Sequence, residues 1–181
     1  MLEIFVPETE MYDEQTNEFI HVKATTLHLE HSLLSISKWE SKWCKPFLAK
    51  NKNDKRTSEE MLDYIRCMTI GSVPENVYNV LTQENVNEII NYINWPMTAS
   101  SVTDPKNSGS SNSVITSELI YYWMIACNIP FSCEKWHINR LIMLIRICNA
   151  KNNPKKMPKN EILKSNKALN AARRKALHTR G

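Results

Sequence analysis

Glycine is almost missing from this 181-residue chain: Gly71, Gly109 and Gly181 are the whole supply, and no two lie close together. No Gly-rich phosphate loop can be written, neither the P-loop nor the dinucleotide GxGxxG, and the GxSxG turn of α/β-hydrolases is absent too. Long apolar runs are lacking. No stretch approaches the roughly 18 residues of a transmembrane helix, and the opening MLEIFVPETE has neither the basic nor the apolar region of a signal peptide. The five cysteines, Cys44, Cys67, Cys127, Cys133 and Cys148, are odd in number and form no CxxC pair. Reduced thiols in an intracellular setting are the expectation. Basic residues are missing from the first twenty positions, which hold six acids.

That last gap gives the net charge of +4 its meaning. Residues 1–150 carry 13 Lys and Arg against 18 Asp and Glu, a net −5, whereas residues 151–181 carry 10 basic residues and one acid, Glu161, a net +9. The chain reads as an acidic body with a basic tail. Hydrophobic residues at 42% and charged ones at 23% suffice for a core.

The predicted fold is mainly α: a helical domain with an N-terminal β-hairpin and a basic C-terminal helical tail. Residues 1–26 read as the hairpin, with Leu2–Val6 and Phe19–Thr25 as strands around a long acidic loop. The helical body spans 27–97. Its first helix begins near Leu29 and carries Leu33, Ile36, Trp39 and Trp43 at helical spacing up to Pro46. Ser58 opens the next helix and Gly71 ends it, a short one follows Pro74, and Thr82 caps a third that runs to Pro96. Residues 98–113, rich in Ser and Asn, read as a flexible linker. Residues 114–150 form an apolar helical hairpin packed on the body, with Thr116 or Ser117 as cap, a break at Pro130, and a second helix from Cys133 to Asn149. Residues 151–181 are the basic tail, helical from Asn160 to His178.

No residue set marks a catalytic centre, a metal site or a cofactor. His28 and His31 flank Glu30, but at i and i+3 rather than the i and i+4 of HEXXH, so solvated imidazoles at a helix start are the better reading. Cys133 and His137 fall at i and i+4, yet Cys127 and Cys148 occupy apolar positions and no paired short-spaced ligands exist. Nothing in the sequence marks Cys44 as a nucleophile. Trp39 and Trp43, interleaved with Lys38 and Lys42, fit either core packing or single-stranded nucleic-acid binding, with packing weighing more. The 116–149 hairpin is apolar on more than one side, which means central burial or a partner-binding surface. The tail residues Lys164, Lys167, Arg173, Arg174, Lys175 and Arg180 suit phosphate, an acidic protein surface or the acidic N-terminus of a neighbouring copy, or plain solvent.

Three stretches together, LHLEHSLLSISKWESKWCKPFL, DYIRCMTI and ITSELIYYWMIACNIPFSCEKWHINRLIMLIRICN with its basic tail, resemble the tail assembly chaperones of long-tailed, non-contractile bacteriophages. The resemblance runs from about residue 1 to 175. It implies a non-enzymatic protein of the infected host's cytoplasm that keeps the helical tape measure protein soluble. It also implies that the chain helps recruit the major tail protein as the tube polymerises. Met-containing helical surfaces suit capture of amphipathic helices, because Met side chains re-pack readily. The expected partner contacts are Trp39, Trp43, Trp123, Met124, Trp136, Met143 and Leu144. A homo-oligomer is a further expectation, while a membrane is not expected and nucleic acid is disfavoured. The hairpin departs from a mainly helical chaperone and keeps open a structural component retained in the virion tail. A small nucleic-acid-binding protein using the Trp/Lys segment and the basic tail is the other alternative.

Overall fold

The structure is a computed structural model, and it describes residues 1–13, 17–49, 56–100, 114–152 and 159–177. The linker at 98–113 falls almost wholly outside the described residues. The chain forms two units, Met1–Ile147 and Cys148–Gly181.

The N-terminal hairpin is longer than the sequence suggests. Four strands, β1 (Leu2–Val6), β2 (Thr9–Asp13), β3 (Glu18–Val22) and β4 (Thr25–Leu29), pair as two antiparallel ladders, β1 with β4 and β2 with β3. Leu2 faces Leu29 in one and Thr9 faces Val22 in the other, and the paired positions of both ladders add to the same total. They are therefore one ribbon in one register. It is interrupted at Pro7, which has no N–H to give to the ladder. The acidic stretch Thr9–Asp13 is strand rather than loop. Its acids stand on a solvated ribbon, where alternation along the strand leaves room for charge.

The proximal ladder is built into the core. Ile4, Val6, Leu27 and Leu29 are fully buried on its inner face. Its outer edge is covered: Ile70 N–H donates to His28 O at 2.8 Å, and Glu30 N–H to Met68 O at 3.0 Å. Leu29 and Thr69 form an isolated antiparallel bridge. Covering an edge in this way removes a template for unwanted pairing.

Leu29 thus belongs to the ribbon, and the first helix, α1 (Leu33–Trp43), starts later than the periodicity implies. Ser32 is its N-cap, with Ser35 completing a capping box. Two serines three apart fix the start more firmly than apolar spacing does. α1 ends at Cys44, which takes the left-handed conformation at φ 51. α2 (Ser58–Met68) is capped by Thr57 and Glu60. It stops before Gly71, because Thr69 turns extended and joins β4. After α3 (Asn76–Asn79), α4 (Gln83–Asn94) starts at the expected cap, Thr82, with Asn85 reciprocating.

α5 (Ser117–Ala126) likewise begins at Thr116. The helix expected from Cys133 is two elements: a 3₁₀ turn over Phe131–Lys135, then α6 (Ile138–Asn152). Cys133 and His137 therefore do not share a helical face, which undoes the geometric basis of a metal pair. The second unit contains α7 (Lys159–Leu177), six basic residues and one acid on a single helix. Mainly helical, with an N-terminal hairpin, is the fold of the described residues.

Candidate partner-binding surfaces

The Trp/Lys segment is occupied with packing. Trp39 is fully buried and donates its indole N–H to Glu60 O at 2.9 Å. Trp43 stacks on it at 6.2 Å between centroids and donates to the Asp63 carboxylate at 2.8 Å. Lys42 ion-pairs with Asp63, and Lys45 with Glu60. Burial works to raise the Asp63 carboxyl, but the Lys42 ammonium and the Trp43 indole together hold it below its ordinary value. The Lys45 hydrogen bond does the same for Glu60. Trp39 and Trp43 thus join α1 to α2, and neither ring is laid out as a stacking platform for bases.

A third buried carboxylate fixes the apolar hairpin. Glu40, on α1, accepts from the Phe47 N–H on one oxygen and from the Ser117 N–H on the other, each at 2.7 Å. Ser117 is the first residue of α5, so Glu40 satisfies an amide that the helix itself leaves without a partner.

His31, expected to be a solvated imidazole, and His137, weighed and set aside as a metal ligand, both lie in the core. His31, 2% exposed, meets the Tyr64 hydroxyl through Nδ1, and its ring stands edge-on to His137 at 5.0 Å between centroids. His137, also buried, donates from Nε2 to Tyr92 O at 3.1 Å and accepts at Nδ1 from the Asn139 N–H at 3.3 Å. The second bond puts an imidazole where Ser or Thr caps α1, α2, α4 and α5. Burial above all, then the neighbouring His137 ring and Arg56, pull the His31 pKa down to about 3. Burial likewise lowers His137, against the pull of the Tyr92 carbonyl and Glu30. Burial raises Tyr64, so its hydroxyl stays protonated. Both imidazoles are held neutral near pH 7. Among the described residues, no group of three His, Cys, Asp or Glu is arranged to hold a metal. Burial also pushes the Cys67 thiol up, away from thiolate chemistry.

Of the expected partner contacts, Met124 and Trp39 are sealed inside the body and offer no surface in this conformation. Trp43, Trp123, Trp136, Met143 and Leu144 are half-buried, and the Arg140 guanidinium lies 4.3 Å from the Trp136 ring. The exposed face of α5 instead presents Tyr122, 63% exposed, and Ile125, 61% exposed. Nearby, Tyr121 donates to Glu134 at 2.9 Å and packs by Phe131. Burial and the Glu134 carboxylate push the Tyr121 hydroxyl up to about 12. In the tail, Lys164, Lys167, Arg173 and Arg174 are exposed on α7. The Lys175 side chain and Arg180 lie outside the described residues.

One surface was not foreseen. Met61, Leu62 and Ile65 of α2, Tyr78 of α3, Leu81, and Val86 of α4 line a solvent-open groove of about 480 Å³, with Arg56 and Gln83 at its rim. The signal for it is the i, i+4 spacing of Met61 and Ile65 with Leu62 alongside. No helix among the described residues is long and apolar enough to cross a membrane. No protein-family model, curated protein or solved structure matches the chain.

Proposed function

We propose that this chain is a non-enzymatic tail assembly chaperone of a long-tailed, non-contractile bacteriophage. In this role it acts in the cytoplasm of the infected cell, binds the tape measure protein and assists polymerisation of the major tail protein. The resemblance of the three quoted stretches supplies the identity of the partner. The observation that supports capture of a helix is the groove between α2 and α4, lined by Met61, Leu62, Ile65, Leu81 and Val86. An amphipathic helix seats its apolar face in such a groove, and methionine adapts to varied side chains. The inward-facing, neutral His31 and His137 support a structural rather than catalytic use of the titratable groups.

Co-expression with the tape measure protein tests the reading. The chain keeps that protein in the soluble fraction, and Leu62→Lys with Val86→Lys abolishes the effect while circular dichroism stays unchanged. Unchanged tape measure solubility with and without the chain refutes the proposal. A second reading, a component retained in the virion tail, is favoured by the distal ladder, whose strands β2 and β3 pair only with each other among the described residues. Purified particles that contain the chain in stoichiometric amounts would favour it. The nucleic-acid alternative no longer has the Trp/Lys segment and rests on α7 alone.

A further inference from the structure

The distal ribbon and α7 are complementary in two respects. In sequence, residues 2–29 carry six acids against a single lysine, Lys23, whereas α7 carries six basic residues against Glu161. Tyr12 and Phe19 face each other across the distal ladder with ring centroids 5.2 Å apart, and they are 50% and 74% exposed. Glu10 stands two residues from Tyr12 and so shares its face, as does Glu8, whose carboxylate reaches His21 at 2.7 Å. That face is aromatic at the tip and carries Glu8 and Glu10 behind it. On α7, Leu163, Lys167 and Arg174 fall on one side at helical spacing, and Leu169 and Arg173 lie on the neighbouring strip. These five side chains are all exposed. A basic helix with protruding leucines is the counterpart of an acidic ribbon with protruding aromatics.

We infer that the chain self-associates by seating the α7 of one copy on the distal ribbon of a second copy, with Tyr12 and Phe19 against the leucines and the α7 cations against the ribbon's acids. This goes beyond the tape measure reading and does not depend on it. Each copy offers one ribbon and one helix. A two-fold exchange therefore uses both and leaves neither over, which is the closure that dimers favour. Exposed ion pairs contribute little individually and are screened by salt. The aromatic–leucine contact supplies the salt-independent part of the attraction, and the charges supply selectivity and salt sensitivity.

Sedimentation of the full chain, nuclease-treated, at low salt and at several hundred millimolar salt tests this. A dimer at low salt that weakens at least tenfold in Kd at high salt is expected. The ribbon variant Glu8→Lys/Glu10→Lys and the helix variant Lys167→Glu/Arg174→Glu should each be monomeric alone. Mixed together they should regain a dimer containing one of each, because the swapped charges again match between copies. Circular dichroism confirms that both variants fold, and all four positions are exposed. A wild-type chain monomeric at every salt concentration overturns the inference. So do variants that stay monomeric on mixing, which would place the contact within one copy, and an association that nuclease abolishes, which would assign α7 to nucleic acid.

Discussion

Ile4 and Leu27 face each other across the proximal ladder and are sealed in the core, whereas Tyr12 and Phe19 face each other across the distal ladder and stand in solvent. Register is common to both halves, so pairing alone does not decide burial. What differs is the surroundings. The proximal half has α4 against β1 and residues 69–70 along β4, whereas in the distal half only Val22, at the base of β3, is fully buried among the described side chains. Two strands alone are marginal in water. The proximal half is therefore held by tertiary packing, and the distal half, beyond Val22, by its cross-strand pairs and whatever binds it.

Four changes break or sharpen this contrast. The largest effect is expected from Leu27→Ala, which empties a fully buried site and costs about 3 kcal/mol, read as a lower urea midpoint. Glu40→Gln comes next. Its amide group turns an NH₂ towards the Phe47 or Ser117 N–H, a loss of about 2 kcal/mol. Hydrogen exchange should then rise in α5 and leave β2 and β3 unchanged.

Acid acts on the proximal side. The unfolded chain protonates His31 near its ordinary value of 6.5, whereas the folded chain resists down to about 3, so the unfolded state binds more protons in between. Stability is complete above the ordinary value and falls as pH drops through this window, by about 1.4 kcal/mol per pH unit for each histidine kept neutral. Urea unfolding across that range should show the slope, and His31→Gln should flatten it. The smallest effect is Phe19→Ala, under about 1 kcal/mol in unfolding. It should nonetheless weaken self-association, so a large loss of stability here would erase the distinction between the two halves.

The sequence was most legible where side chains act on their own neighbours. Thr82 and Thr116 mark helix starts by bonding amides three residues on, and Leu2–Val6 needed only its own pattern to be recognised. It was least legible where partners come from afar. His31 is buried because α6 brings in His137 and α2 brings in Tyr64, neither of which local spacing reveals. α5 is apolar nearly all round, so periodicity could not say that Met124 faces in and Ile125 out. Thr9–Asp13 was mistaken for loop because its acids resemble turn composition, although on a solvated ribbon they cost little.

Glu40 has a topological consequence. It bonds the first amide of α5 from the far side of residues 101–113, and the His31 carbonyl accepts from the Ile138 N–H at 2.8 Å in the same manner. These non-covalent ties hold the two halves of the folded body regardless of the peptide bonds between them. A chain nicked between Ser100 and Val114, or expressed as two pieces divided there, should reassemble by fragment complementation and unfold as a single cooperative body.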